Sequence, residues 1–132
     1  MWPKKVVPKT RNQKKVVKLI KIYRDKFGLR KTVIKIKFSK GKLDNDIYAE
    51  VVMKGRVAKI HFNEDLMDKR PEEIENTVVH ELLHIVLYKL TDRASWIIQS
   101  YVRLRYAREI LEDKISNLEH EAIERLIRAL TK

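Results

Sequence analysis

The sequence has no cysteine and few glycines, prolines or glutamines: among 132 residues there are three Gly, three Pro and two Gln. The absence of cysteine excludes disulfides and thiolate metal sites, so a bound metal would need His and carboxylate ligands. Few glycines and 44% apolar residues favour an ordered, helix-rich protein over a disordered chain. The Lys- and Ile-rich, Gln-poor composition fits a thermophile or its virus.

Long hydrophobic runs are also missing. The longest apolar stretch, residues 78–88, is interrupted by His80, Glu81 and His84 and is too short to span a bilayer. The N-terminal "MWPKKVVPKTRNQKK" has no continuous apolar core of the kind a secretory signal requires. We therefore expect an intracellular, cytoplasmic protein without a membrane segment.

Acidic residues are scarce in the first half of the chain. Residues 1–62 carry nineteen Lys and Arg against four Asp and Glu, whereas residues 63–132 carry eleven against fourteen. A basic half attracts nucleic acid or another anionic surface. The alternative is the solvated, Lys-rich surface of a heat-adapted protein. Nucleic acid bound through residues 1–62 is therefore one expected partner.

The apolar spacing predicts an α+β fold in which one helix and three strands precede the remaining helices. A helical period runs from Asn12 to Phe27 and stops at Gly28. Alternating residues predict a strand ending at Gly41, then two strands joined by a turn at Lys54–Gly55.

Three helices are expected after the strands. The first begins near Pro71, the second is capped near Thr91–Ser95, and the last runs from about residue 116 to 130. Prolines and charges near the N-terminus argue against a helix there. We predict a basic N-terminal arm over residues 1–11 and a single domain over residues 12–132.

The stretch "HELLH", residues 80–84, contains the candidate metal-binding and catalytic side chains. On a helix, His80 and His84 lie one turn apart on the same face, so both imidazoles can reach one ion. Glu81 lies about 100° around the helix, where it can hold a water beside the metal. This H-E-x-x-H pattern supplies two zinc ligands and a general base.

A chance match is the alternative explanation, since glutamate is common in helices. The three polar residues lie in an otherwise apolar stretch, however, and a helix that is apolar all round is buried. Buried polar groups need partners, and a metal ion would supply one. The context therefore favours a metal site.

A catalytic zinc needs a third protein ligand, and Glu119 is the first candidate. It falls inside the predicted apolar stripe of the last helix, where a carboxylate is costly unless paired or bound to metal. His120 is the substitute ligand. The alternative role of Glu119 is a capping box with Ser116, in which the glutamate folds back on the helix start. The stripe comprises Leu111, Ile115, Leu118, Ala122, Leu126, Ala129 and Leu130.

The motif and a downstream glutamate, in "SNLEHEAIERLIRAL", resemble the gluzincin pattern of zinc metallopeptidases. The short lead to the motif is similar to that of minimal single-domain gluzincins and small phage- or virus-type metallopeptidases. The segment "KIHFNEDLMDKRPEEIENTVVHELLH", which leads into the motif, is also similar to the corresponding segment of SprT-like zinc peptidases. The resemblance covers about residues 56–130. SprT-like families use a later histidine ligand, which has no evident equivalent in this sequence.

The resemblance implies a minimal zincin-like metalloendopeptidase that acts on peptides or proteins. His80, His84 and Glu119 would bind Zn²⁺, and Glu81 would be the general base. The strand over residues 56–62 would pair with an extended substrate by backbone hydrogen bonds. The alternative function is a basic, nucleic-acid-associated protein that retains a zincin-like metal site. A terminal segment lying in the cleft could keep the enzyme latent.

Overall fold

The fold belongs to the α+β class, as predicted. A computed structural model describes residues 10–39, 48–64 and 69–130, so residues 1–9 of the predicted arm and Gly41 lie outside the described residues. None of the described helices is long and apolar enough to cross a membrane. Within the described ranges the elements are α1 Arg11–Lys26, β1 Val33–Ser39, β2 Ala49–Lys54, β3 Val57–Asn63, α2 Pro71–Tyr101 and α3 Arg105–Leu130.

The chain forms two compact units, divided between Ile85 and Val86 inside α2. The first unit holds α1, the sheet and the start of α2, and the second holds the rest of α2 and α3. Among the described residues, fifteen of the seventeen buried apolar side chains belong to the first unit. Most of the hydrophobic core therefore lies there. The prediction of an arm over residues 1–11 and one domain over residues 12–132 stays a prediction.

Local signals at both ends define α1. The Thr10 side chain accepts a hydrogen bond from the backbone N–H of Gln13 at 3.1 Å, which satisfies one of the unpaired donors of the first turn. At the other end Gly28 adopts a φ of 71°, and the N–H of Leu29 returns to the carbonyl of Arg24 at 2.9 Å. This is a Schellman arrangement, which favours glycine because of its positive φ. The predicted stop at Gly28 is confirmed.

Replacing Thr10 with alanine is expected to lower the free energy of unfolding by about 1 kcal/mol, because the Gln13 N–H loses its side-chain acceptor. Urea denaturation followed by circular dichroism measures the change. Thr10→Ser keeps the hydroxyl and should stay close to the parent protein. A serine variant as unstable as the alanine variant would show that the hydroxyl is not what stabilises this end of α1.

The three strands form one sheet in the order β1-β3-β2. β3 pairs in parallel with β1, with Ile36 opposite Ile60, and antiparallel with β2, with Val51 opposite Ile60. The β2–β3 turn contains Gly55 at a φ of 60°, and the described residues include no non-glycine residue with positive φ. A glycine at the first of two central positions is typical of a type II′ hairpin. The predicted turn is confirmed.

The role expected of the strand over residues 56–62 is not compatible with this sheet. β3 is the central strand and exchanges backbone hydrogen bonds with both neighbours along its length. An extended peptide can join a sheet only where a strand has an open edge. The expectation that this strand pairs with substrate was wrong, because alternation identifies a strand but gives no information on its position in the sheet.

One face of the sheet contributes to the core of the first unit together with α1 and the start of α2. In residues 33–37 and 57–61 the buried inward residues alternate with exposed or half-buried ones, as period-two patterning requires. Phe38 and Phe62, which are opposite each other in the register, stack with ring centroids 5.7 Å apart. The Tyr23 hydroxyl of α1 donates to Glu75 Oε1 of α2 at 3.1 Å. This bond fixes α1 beside the helix that carries the H-E-x-x-H motif.

Two helices, rather than the expected three, follow the strands within the described residues. α2 begins at Pro71 as predicted but continues through Thr91, whose hydroxyl donates to the carbonyl of Leu87 at 3.2 Å. Such back-bonding accommodates threonine inside a helix, so it is no cap here. Ser116 likewise lies inside α3. No glycine or proline follows Pro71 in the sequence, so neither predicted break had a strong stop signal.

Candidate metal centre

His80 and His84 lie on one face of α2, one turn apart, as the motif predicts. Their Nε2 atoms are 3.1 Å apart, and their ring centroids are 4.8 Å apart with the planes at 70°. Both residues are half-buried. The two imidazoles therefore present the same ring nitrogen toward the same point.

This spacing fits a shared zinc ion. Histidine nitrogens bind zinc at about 2.0–2.1 Å in tetrahedral geometry, which places two such nitrogens about 3.3 Å apart. The observed 3.1 Å needs only a small adjustment of either ring. Cysteine is absent from the sequence, and two imidazoles with a carboxylate or a third imidazole form a donor set that zinc accepts. The residues present thus fit the ion that the motif implies.

Glu81 is the buried carboxylate of the motif, with only 6% of its surface exposed. Burial raises the pKa of Glu81 to about 7, because desolvation penalises the charged form, and the negative charge of Glu50 raises it further. A general base is most effective when its pKa lies near the working pH. Glu81 is therefore suited to accept a proton near neutrality.

Sequence reasoning did not single out Glu50. It lies on the edge strand β2 and is exposed, opposite His61 in the register. The alternation of "AEVVMK" could have placed it on the outward face of a strand. Its influence on Glu81 depends on the three-dimensional arrangement of β2 and α2, and so it could not be derived from spacing along the chain.

Glu119 lies on the less exposed side of α3. Its side chain is half-buried, on a line with Glu112, Ile115 and the fully buried Ile123. The predicted stripe is displaced from this side, because Leu118 is 55% exposed. The capping-box alternative is wrong: Ser116 is an interior residue of α3 and cannot be its N-cap. Glu119 as a metal ligand stays a prediction.

His120, the substitute ligand, is exposed on α3. Its Nδ1 lies 2.8 Å from the backbone carbonyl oxygen of Ser116. A carbonyl oxygen can only accept, so Nδ1 carries the proton and the lone pair of the neutral ring is on Nε2. Histidine ligands commonly donate their second N–H to a backbone carbonyl, which fixes the tautomer and orientation that metal binding needs.

The comparison with protein families bears on the first two thirds of the chain. The model of the SprT-like family matches residues 13–96, which is well over half of the 132 residues. The match includes all but the first two residues of α1, the whole sheet and the part of α2 that carries His80, Glu81 and His84. The chain belongs to the SprT-like family.

SprT-like proteins are zinc metallopeptidase-like, which confirms the resemblance found in the sequence. The extent given to that resemblance needs correction, since the SprT-like match begins at residue 13 rather than near residue 56. It ends at residue 96, before α3, and so leaves the third ligand undecided. A search of curated proteins finds no match to this SprT-like chain.

The first unit of this SprT-like chain supplies two imidazoles, since His80 and His84 could bind a metal ion through their ring nitrogens. Three imidazoles are a known zinc ligand set in catalytic sites, where the fourth position is kept for water.

Proposed function

We propose that the chain is a zinc-dependent endopeptidase that hydrolyses internal peptide bonds with Glu81 as its general base. The observation that carries this proposal is the 3.1 Å separation of the His80 and His84 Nε2 atoms on the helix turn that also bears the buried Glu81. Membership of a zinc metallopeptidase-like family supports the same reaction class.

Glu81 has the properties that proton transfer in this reaction requires. Burial and the negative charge of Glu50 raise the pKa of Glu81, which makes this carboxylate a stronger base for a proton of the attacking water. It can then return the proton to the nitrogen of the leaving amine. Zinc, when bound by the histidines, would act as a Lewis acid on the peptide carbonyl and lower the pKa of water.

We assign the third ligand to His120, with Glu119 as the alternative. Imidazole is a common zinc donor, and SprT-like families use a later histidine. The Ser116 carbonyl already holds the His120 ring in the tautomer whose Nε2 binds metals. Glu119 precedes His120 on α3 and is half-buried, so a substitution at each position can distinguish the two candidate ligands.

The substrate would add to the sheet at β2 rather than at β3. In the described part of the chain β2 is hydrogen-bonded only to β3, so its other side is an edge. β2 also carries Glu50, whose charge acts on Glu81. A peptide paired with this edge would gain backbone hydrogen bonds that do not depend on its sequence.

Metal content and cleavage of a peptide pool together test the proposed function. The purified protein should hold about one zinc per chain by elemental analysis, and mass spectrometry should find cleavage at internal bonds. A chelator should abolish cleavage and added zinc should restore it. His84→Ala should lose both zinc and activity. A zinc-loaded protein that cleaves nothing, or that only trims chain ends, contradicts the endopeptidase assignment.

The third ligand is decided by a pair of adjacent substitutions. His120→Ala is expected to weaken zinc binding more than tenfold, whereas Glu119→Ala should leave it nearly unchanged, because only His120 supplies a ring nitrogen to the ion. Competition with a chromophoric chelator measures both affinities. His61→Ala, which removes the remaining histidine, is the matched control and should bind zinc normally. The reverse order of effects would assign the ligand to Glu119.

A further inference from the structure

Large apolar side chains of the second unit, residues 86–132, remain exposed on both of its helices. On α2, four of them fall within about 60° of one another at 100° per residue, and Leu90 and Tyr101 among these are 69% and 73% exposed. On α3, Leu111 and Leu118 are seven residues apart and so point in nearly the same direction. We call these six residues the apolar flank: Val86, Leu90, Ile97, Tyr101, Leu111 and Leu118.

The two stripes of the apolar flank lie on the same side of a helical hairpin. Three residues connect α2 to α3, and so short a connection makes the two helices antiparallel. On the other side of the hairpin, Ser95 and Gln99 donate to Glu112 Oε1 at 2.7 and 3.1 Å. The buried Ile98 separates the polar residues of α2 from the apolar stripe, and the half-buried Ile115 does the same on α3. One side of the hairpin is therefore polar and hydrogen-bonded, and the other is apolar and exposed.

We propose that the apolar flank is the contact surface of a homodimer, in which it packs against the same flank of a second copy of this chain. The exposed fractions of its six residues amount to about 600 Å². A standard interface buries about 800 Å² per partner, of which about 65%, or about 520 Å², is apolar in homodimers. The flank thus offers the apolar area that a stable dimer requires. Two-fold pairing of identical flanks covers both copies at once.

The charge balance of the second unit favours a second copy over an anionic membrane surface. Residues 86–132 carry nine Lys and Arg against seven Asp and Glu, a net of +2, whereas residues 1–85 carry twenty-one against eleven, a net of +10. Two copies of the second unit therefore meet with little repulsion. Helices that lie on membranes instead have a polar face rich in Lys and Arg. On α3 opposite charges are interspersed, and Arg125 pairs with Glu121 at 2.9 Å.

Sedimentation equilibrium of the full chain tests the dimer. At about 100 µM the parent protein should sediment as a dimer, and it should dissociate on dilution. Leu90→Glu should raise the dimer dissociation constant more than a hundredfold, because it removes an apolar contact and would bury an unpaired carboxylate. Thermal denaturation gives a second measurement: the Tm of the parent should rise with protein concentration, and that of Leu90→Glu should not.

The matched control introduces the same charge outside the second unit. Ile22→Glu replaces an exposed isoleucine of α1, 41% of whose surface is accessible, and should leave the dissociation constant within about twofold of the parent. Circular dichroism of dilute Leu90→Glu should match that of the dilute parent, since residue 90 is exposed in the single chain. Metal-free protein should dimerise equally well, because no residue of the apolar flank is a proposed metal ligand or base. A failure of the proposed peptidase would therefore leave this result unaffected.

Three outcomes would overturn the proposal. The first is a parent protein that stays monomeric at about 200 µM, far above the concentrations at which standard interfaces associate. The second is a dimer that Leu90→Glu leaves intact, or that Ile22→Glu weakens equally, which would assign the contact to another surface. The third is a monomer that binds vesicles containing anionic lipid and loses this binding in Leu90→Glu, which would make the flank a membrane contact.

Discussion

Replacing Glu81 with glutamine is expected to reduce peptide hydrolysis by about a thousandfold while the bound zinc stays in place. Glutamine has nearly the same shape but cannot take a proton from water, and loss of a general base lowers rates by about 10²- to 10⁴-fold. The metal should remain because its proposed ligands are imidazoles, and the His80 and His84 Nε2 atoms keep their 3.1 Å spacing on the helix. Initial rates with a fluorogenic peptide, alongside elemental analysis, measure both quantities.

The control for this experiment is Glu72→Gln, an exposed glutamate in the first turn of the same helix. It should keep full activity and full zinc content, which would show that the loss belongs to position 81. A Glu81→Gln enzyme that keeps more than a tenth of the parent rate would falsify the general-base role. A variant that loses its zinc would instead assign Glu81 to the ligand set.

The elements whose ends are marked by local chemistry could be predicted from sequence. Gly28 ends α1 and Gly55 forms the β2–β3 turn, each with a positive φ that glycine adopts readily. The motif was equally accessible, because the positions of His80 and His84 on one face follow from helix geometry alone. In each case the cause lies within about one helical turn of the residue concerned.

The order of strands could not be predicted, because pairing is a contact between distant parts of the chain. β2 and β3 are neighbours through a hairpin, but β1 pairs with β3 rather than β2, and in parallel. The alternation in each strand defines its two faces and says nothing about which edge has a partner. For this reason β3 was wrongly expected to be the strand that pairs with an extended substrate.

The third metal ligand could not be predicted from the sequence for a related reason. Leu111 and Leu118 suggested a stripe centred on themselves, yet both are exposed and the fully buried residue of α3 is Ile123. Apolar residues outnumber the positions that the fold covers, so a stripe drawn from hydrophobicity alone can be rotated from the buried side. The pKa of Glu81 is a similar case, because desolvation depends on the packing around α2 and on a charge from β2.

Metal-free protein is expected to lose stability as the pH rises from about 4.5 to 7. Burial raises the folded-state pKa of Glu81 to about 7, whereas the unfolded chain keeps the ordinary value of 4.5. At low pH both states hold the proton and no difference arises. Between the two values the unfolded chain releases its proton and the folded chain retains it. The free energy of unfolding then falls by about 1.4 kcal/mol per pH unit, reaching about 3 kcal/mol above pH 7.

Glu81→Gln should remove this dependence, because glutamine does not ionise. Urea denaturation of the metal-free proteins should find the variant more stable than the parent by about 3 kcal/mol at pH 8, and by far less at pH 4.5. Glu72→Gln, whose carboxylate is exposed, should show no such divergence. Equal pH dependence of parent and Glu81→Gln would mean that Glu81 ionises in the folded protein as it does in water. Bound zinc should reduce the difference in free energy of unfolding between the parent and Glu81→Gln, since a nearby divalent cation favours the charged carboxylate. The substitution that removes activity would thus stabilise the empty fold, as expected where a site holds a buried charge for its chemistry.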